Sequence, residues 1–160
     1  MKATWTLFTV PVIFLFISSC MQSQNNASDK QITEMINEFY KAHSIVMSIN
    51  SMDSSDIQNI KLDSIQEKYC TLKLKNKAKK YWEDGFDYVT DEFDIQPESL
   101  KTLTIKKDSK NHDSYIVSYI TSQPDANGKL IEKEVALKVS VVNKKGAYKI
   151  NDVNAIELEY

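Results

Sequence analysis

Arginine is absent from this chain of 160 residues. All 20 basic residues are lysines, against 22 acidic residues, and the net charge is -2. Without guanidinium groups, the chain lacks the planar donors that hold phosphates and guanine edges in two-point contacts. The acidic balance also disfavours binding to a phosphate backbone. We therefore expect no nucleic-acid partner, and the hydrophobic fraction of 42% predicts one globular domain.

Motifs for metals, nucleotides and nucleophiles are missing as well. Two histidines and two cysteines form no zinc-binding spacing in this sequence. No phosphate-binding loop, dinucleotide fingerprint or nucleophile elbow is present. We expect neither a cofactor nor a metal ion.

The N-terminus has the features of an export signal. One lysine precedes an apolar run over residues 5–17, which is too short to span a bilayer comfortably, since that takes about 20 residues. The run ends in Ile17-Ser18-Ser19-Cys20, which resembles a bacterial lipobox. The resemblance implies cleavage before Cys20, acylation of that cysteine and attachment to a membrane. The alternatives are an ordinary signal cut near Ser19 and an uncleaved anchor helix.

This interpretation divides the chain into a signal peptide (1–19), a lipidated tether (20–28) and one domain (29–160). It leaves Cys70 without a partner, so we expect a buried free thiol there, with a disulfide to Cys20 as the alternative. Met21 follows the cysteine, and by resemblance to known sorting signals it favours an outer-membrane lipoprotein that faces the periplasm. Surface display is the alternative location.

The first half of the domain has helical periodicity. A capping box at Ser28-x-x-Gln31 predicts the start of an amphipathic helix. A second box, Ser64-x-x-Glu67, predicts a short helix over residues 62–70. Thr71 is placed to cap a third helix, and Asp84-Gly85 is typical of its end.

Beyond Pro97 the apolar period changes from 3.6 to 2. Alternating segments over residues 103–105, 115–120, 131–141 and 148–156 predict strands, with Ile131 on the buried face of the third. Turn residues at 124–128 and 143–146 separate the later strands. The sequence therefore predicts an α+β fold, with N-terminal helices packed on a curved antiparallel sheet of about four strands.

Four short segments resemble a known family, the lipoproteins with domain of unknown function 3828. They are Glu38-Phe39-Tyr40, the junction over residues 67–72, Asp87-Tyr88 and the closing segment over residues 149–153. The resemblance covers residues 31–156. It implies a cone-shaped fold like that of nuclear transport factor 2, in an envelope protein, and implies no particular activity.

An acidic segment lies between the helices and the strands. Residues 83–98 contain seven acids and no lysine, but not the spacing of a known calcium loop. We interpret the segment as a solvated loop. The alternative is a contact with a cation or a basic partner through Asp87, Asp91 and Asp94.

Folds of this type often hold a pocket between helices and sheet. The candidate pocket residues, which core packing explains equally well, are Tyr40, His43, Tyr69, Trp82 and Tyr115. His43 lies on the apolar stripe of the first helix, where a hydrogen-bonded core histidine is more common than a catalytic base.

These patterns favour a membrane-anchored envelope lipoprotein that is not an enzyme. We expect its domain to bind a small apolar ligand or an envelope protein. One alternative is an immunity-type interaction protein that uses the acidic loop 83–98. A second alternative is a pocket enzyme of the isomerase or dehydratase type, which would rest on fold analogy.

Overall fold

The structure is a computed structural model. It describes the backbone of residues 12–49, 55–90 and 95–156, and the side chains of residues 27–49, 56–90 and 95–156. Three helices precede four strands, which confirms the predicted α+β class. The elements are α1 (Val12–Met47), α2 (Ser55–Tyr69), α3 (Leu72–Glu83), a single 3-10 turn (Ser99–Lys101), β1 (Thr104–Lys107), β2 (Ser114–Pro124), β3 (Leu130–Lys144) and β4 (Ala147–Ala155).

Helix α1 differs from its predicted start. The capping box placed the helix beginning at Ser28, but α1 runs without a break from Val12. The predicted tether over residues 20–28 is therefore helical. Capping and helix propensity are weak local preferences, and a serine is tolerated inside a helix. The chain divides into two compact units, residues 1–31 and 32–160, and the sites described below lie in the second.

Helix α2 is longer than the predicted helix over residues 62–70. It begins at Ser55, with Asp56 in the first turn, where a negative charge favours helix formation. Gln58 is buried, and its side-chain amide donates to the carbonyl of Val46 at 3.3 Å. This contact to the end of α1 stabilises the first turn of α2, and no pattern within α2 indicates it.

Helix α3 begins and ends where the sequence predicts. The hydroxyl of Thr71 accepts from the backbone N–H of Leu74 at 3.3 Å, which confirms the predicted cap. Asp84 follows the last helical residue, and Gly85 has a φ of +82°, a conformation that glycine adopts without strain. The N–H of Gly85 donates to the carbonyl of Trp82 at 3.0 Å and closes the helix.

The four strands form one antiparallel sheet in the order β1-β2-β3-β4. The predicted turns join them. Lys145 and Gly146 both have positive φ values, 55° and 87°, which is the geometry of a type I′ hairpin turn. The pairing register between β3 and β4 shifts between Ser140 and Val141 of β3.

One end of β2 and β3 extends beyond the rest of the sheet. β2 and β3 pair as far as Pro124 and Leu130, whereas β1 reaches only Ser118 and β4 only Leu137. The extension is therefore a two-stranded ribbon. Ile131 lies on it and is 45% exposed, so its predicted burial is wrong. Ile131 continues the apolar alternation of the buried part of β3, but it is exposed on the ribbon.

The core of the second unit lies between the helices and one face of the sheet. It joins Ile36 and Phe39 of α1 to Val117, Leu137 and Ile150 of the strands, all with no exposed surface. Over the part of the chain that the structure describes, no helix is both long and apolar enough to cross a membrane.

Candidate functional site

Three of the five candidate pocket residues lie in the closed core. The rings of Tyr40, His43 and Tyr69 surround the ring of Phe39, with centroid distances of 5.1, 5.9 and 6.0 Å. Tyr40 and Phe39 are fully buried and His43 is 1% exposed. The structure therefore gives these side chains a packing role, and they do not share an open pocket with Trp82 and Tyr115.

His43 is paired with Asp87 inside this core. The imidazole Nε2 lies 3.3 Å from the carboxylate Oδ2 of Asp87, which is only 12% exposed. The same carboxylate accepts from the backbone N–H of Val89 at 3.1 Å and from the hydroxyl of Thr90 at 2.7 Å. Asp87 is therefore turned inward, and the prediction of a solvated acidic loop is wrong for this residue.

The other ring nitrogen of His43, Nδ1, has no hydrogen-bond partner among the residues that the structure describes. A neutral imidazole with its proton on Nε2 donates to Asp87 and leaves only an acceptor unpaired at Nδ1. A protonated ring would instead leave a buried N–H without an acceptor, which is costly. The pair with Asp87 therefore accounts for only one of the two ring nitrogens.

Two buried tyrosines fix the segment that carries Asp87. The hydroxyl of Tyr40 donates to the carbonyl of Val89 at 3.1 Å, and that of Tyr119 to the carbonyl of Thr90 at 3.5 Å. Burial, with smaller contributions from nearby Tyr119 and Asp87, raises the pKa of Tyr40 well above its usual value. Tyr40 is thus a neutral donor that ties helix to loop.

The carboxylate of Asp87 already meets three donors, which disfavours the alternative of a cation contact at this residue. Asp91 and Asp94 lie outside the described residues. Within residues 27–49, 56–90 and 95–156, no group of three histidine, cysteine or acidic side chains could hold a metal ion.

Trp82 lies in a different place, in an open groove between α2 and α3. The groove has a volume of about 420 Å³, within the range of small-molecule sites. Leu62, which is 5% exposed, provides an apolar floor, and Ile60, which is 68% exposed, lies at the rim. The groove therefore offers space to a ligand.

Polar side chains line both helices along the groove, spaced so that they share one helical face. The row on α2 is Asn59, Asp63 and Gln66, and the row on α3 is Lys79 and Trp82, which Lys75 continues by one turn outside the lining, in contact with Asp63. No sequence motif indicated a role for Asn59, Gln66 or Lys79. The i, i+4, i+7 spacing is the signal that could have identified them.

Two contacts join these rows across the groove. The indole N–H of Trp82 donates to the side-chain oxygen of Asn59 at 3.1 Å. The ammonium of Lys75 lies 2.9 Å from the carboxylate of Asp63, and this hydrogen bond raises the pKa of Lys75. Within the described part of the chain, neither the Gln66 amide nor the Lys79 ammonium has a partner.

Tyr115 borders a second, smaller cavity of about 230 Å³ near the β1–β2 turn. Its other walls include His112, Asp113 and Tyr148. Tyr115 is 1% exposed and belongs to the core cluster, so it contributes a buried wall. The five candidate residues are thus divided among the core, the groove and this cavity.

Cys70 is a buried free thiol, as predicted from the cysteine count. Burial raises the pKa of its thiol to about 12, far above neutral pH. It lies at the end of α2, in an isolated bridge to Ile150 of β4. A thiol that stays protonated is a poor nucleophile, so Cys70 has a structural role.

A further polar cluster was not predicted. The ammonium of Lys77 donates to the hydroxyl of Tyr88, and that hydroxyl donates to the carboxylate of Asp152 at 3.1 Å. Burial raises the pKa of Tyr88. These contacts join α3, the following loop and β4. No sequence pattern could indicate them, because Lys77 and Asp152 are 75 residues apart.

No protein-family model and no curated protein matches the chain. A crystal structure of a protein of unknown function from Bacteroides thetaiotaomicron is similar to it, with a TM-score of 0.69 and 27% sequence identity. The match covers 86% of this chain and 98% of the other. This similarity supports the α+β fold and does not assign an activity.

Proposed function

We propose that this protein is a lipid-anchored bacterial envelope protein whose domain is a binding module, not an enzyme, and that the groove between α2 and α3 is its ligand site. The observation that carries the proposal is the groove itself. It combines about 420 Å³ of open space with an apolar floor and with polar groups that have no partner among the described residues. Sites for small molecules commonly join these features.

The burial of polar groups in the closed core supports a binding role over an enzymatic one. The buried pair of His43 and Asp87 resembles the orienting half of a catalytic dyad, but the imidazole is 1% exposed. A general base must come within hydrogen-bond distance of the proton that it removes. In this arrangement the pair has no access to a substrate.

The anchor and the location are the remaining parts of the proposal. The lipobox around Cys20 supports acylation, and Met21 supports an outer-membrane location facing the periplasm. The order of helices and strands supports a relationship to the family with domain of unknown function 3828 and to the cone fold of nuclear transport factor 2. None of these features depends on the groove.

Native mass spectrometry tests the groove. The full chain, purified from the envelope of its own host, should retain a small molecule. Gln66→Phe, which places a large ring in the groove, should abolish retention. The matched control is Gln123→Phe, because Gln123 is also half-buried but lies on the β2–β3 ribbon. Equal retention by both variants, or no retained mass in the wild type, would contradict the proposal.

Fatty-acid labelling in the host tests the anchor separately. Wild-type protein should incorporate label and sediment with membranes, and Cys20→Ala should lose both properties. The control is Cys70→Ala, which removes the other cysteine. Labelling that survives in Cys20→Ala would show that the lipid is attached at another residue.

A further inference from the structure

We infer that the ligand of the α2–α3 groove is an uncharged, hydroxyl-bearing ring compound of the saccharide class. This inference rests on the proposed function, because it names the chemistry of a ligand for the same groove. It follows from the charge balance of the groove, from its unpartnered polar groups and from the surface that Trp82 offers.

The charges along the groove balance. Asp63 is paired with Lys75 at 2.9 Å, and Glu67, which lies 3.8 Å from the same ammonium, is 76% exposed and does not line the groove. Of the other lining residues, Lys79 is positive and Glu83 is negative. A strongly anionic or cationic ligand would therefore meet one repulsive charge for each attractive one, and it would lose its hydration without a net Coulombic gain. This balance favours a ligand with no net charge.

The unpartnered polar groups disfavour a purely apolar ligand. Gln66 is half-buried, and its side-chain amide forms no hydrogen bond within the described residues. An apolar ligand would displace water from this amide and provide no replacement hydrogen bond, which would weaken its binding. Hydroxyl groups both donate and accept, so they can satisfy the two ends of an amide.

Trp82 supplies the complementary apolar surface. Its indole N–H already donates to Asn59, so its remaining contribution to a ligand is the ring. With Leu62 as the floor, the groove has one apolar side and polar groups at its edges. A sugar ring has C–H groups on its faces and hydroxyls around its edge, and it matches both. The volume of about 420 Å³ allows a small saccharide.

Tryptophan fluorescence can test the ligand class directly. The chain contains only two tryptophans, Trp5 and Trp82. Trp5→Phe therefore leaves Trp82, which lines the groove, as the single indole whether or not the segment before Cys20 is removed. The protein is held in a detergent without a sugar headgroup. The neutral probes are glucose, galactose, N-acetylglucosamine, cellobiose and chitobiose. The charged probes are glucuronate and glucosamine, and the apolar probe is 1-octanol.

We expect a saturable fluorescence change with at least one neutral saccharide, at least tenfold tighter than with glucuronate or glucosamine. Gln66→Leu, which keeps the size of the side chain but removes the amide, should weaken this binding at least tenfold. Gln123→Leu on the ribbon should leave it unchanged. This pair of variants separates loss of the site from a general effect of exchanging a half-buried glutamine.

Each other outcome rejects a defined part of the argument. Binding of 1-octanol without any saccharide would overturn the ligand class and leave the groove as a binding site. Tighter binding of a charged sugar would overturn the charge argument. No binding of any probe would reject the ligand class, and if the native protein also retained no mass, the proposed function would be rejected with it.

Discussion

The closed core around His43 and the open groove around Trp82 contain similar kinds of side chain. Each joins aromatic rings to carboxylate, amide or imidazole groups. In the core, the carboxylate of Asp87 meets three donors, and Tyr40 donates to a carbonyl. In the groove, the Gln66 amide and the Lys79 ammonium have no partner in the part that the structure describes.

The comparison shows that residue type alone does not identify a binding site. A buried polar group that has a hydrogen-bond partner stabilises the fold, because a buried group without a partner is costly. A polar group without a hydrogen-bond partner, beside open space, is available to a ligand. The predictions below alter one region at a time and test whether the two regions differ in this way.

The largest expected effect is in the core. Phe39→Ala removes the ring that contacts Tyr40, His43 and Tyr69, and it should lower the free energy of unfolding by about 3–5 kcal/mol. The control is Ile60→Ala at the rim of the groove, where 68% exposure predicts a change within about 0.5 kcal/mol. Urea denaturation measures both, and similar losses would remove the distinction between closed core and open groove.

The pair of His43 and Asp87 should contribute less than the ring of Phe39. His43→Ala leaves the inward carboxylate of Asp87 without one of its donors, which should cost about 1–3 kcal/mol. His112→Ala replaces the other histidine, which is exposed, and should change stability by no more than about 0.5 kcal/mol. If His43→Ala unfolds at the wild-type urea concentration, the pair has no structural role.

Cys70 gives the core a pH dependence of its own. Burial raises the pKa of the folded thiol from about 9 to about 12, so between these values the unfolded chain loses its proton first. The stabilisation is therefore complete below pH 9 and decreases as pH rises. The slope is about 1.4 kcal/mol per pH unit, or about 2 kcal/mol from pH 9 to pH 10.5.

The measurement for Cys70 is the unfolding free energy of the wild type minus that of Cys70→Ala, followed over this pH range. The difference cancels the titration of lysines and tyrosines that both proteins share. A difference that does not change with pH would show that the thiol is open to solvent in the folded protein.

The smallest effect on stability should come from Lys79. It has no ion-pair partner among the described residues, so Lys79→Ala should leave the melting temperature unchanged while weakening ligand binding in the groove. Lys75→Ala, on the same face of α3, removes the contact to Asp63 and should lower the melting temperature slightly. Differential scanning fluorimetry with and without ligand separates the two effects, and a lower melting temperature for Lys79→Ala alone would reveal an unrecognised contact.

Local patterns predicted much of the architecture. The cap at Thr71, the end of α3 at Gly85 and the turn at Lys145-Gly146 were recognisable because each depends on a few adjacent residues. The change of apolar period beyond Pro97 identified the sheet for the same reason. Where a distant contact decided the outcome, local patterns failed, as with Gln58 at the start of α2 and with Ile131 on the uncovered ribbon.

The candidate site was less predictable than the fold. Periodicity correctly placed His43 on a buried face, but it could not indicate Asp87 as the partner, 44 positions along the chain. It grouped Trp82 with Tyr40 because both are aromatic residues on amphipathic helices. The position of α2 beside α3, which forms the groove, depends on packing between elements and leaves no local pattern.

The sequence by itself therefore determined the α+β class, the hairpin turns and the Thr71 cap, because these depend on local backbone preferences, and it predicted the free thiol of Cys70 once Cys20 is assigned to the lipobox. Only the tertiary structure decided that Asp87 faces inward, that Trp82 lines an open groove and that Gln66 and Lys79 lie beside it without partners among the described residues. The physical reason is that burial and hydrogen-bond pairing depend on which distant segment covers a side chain.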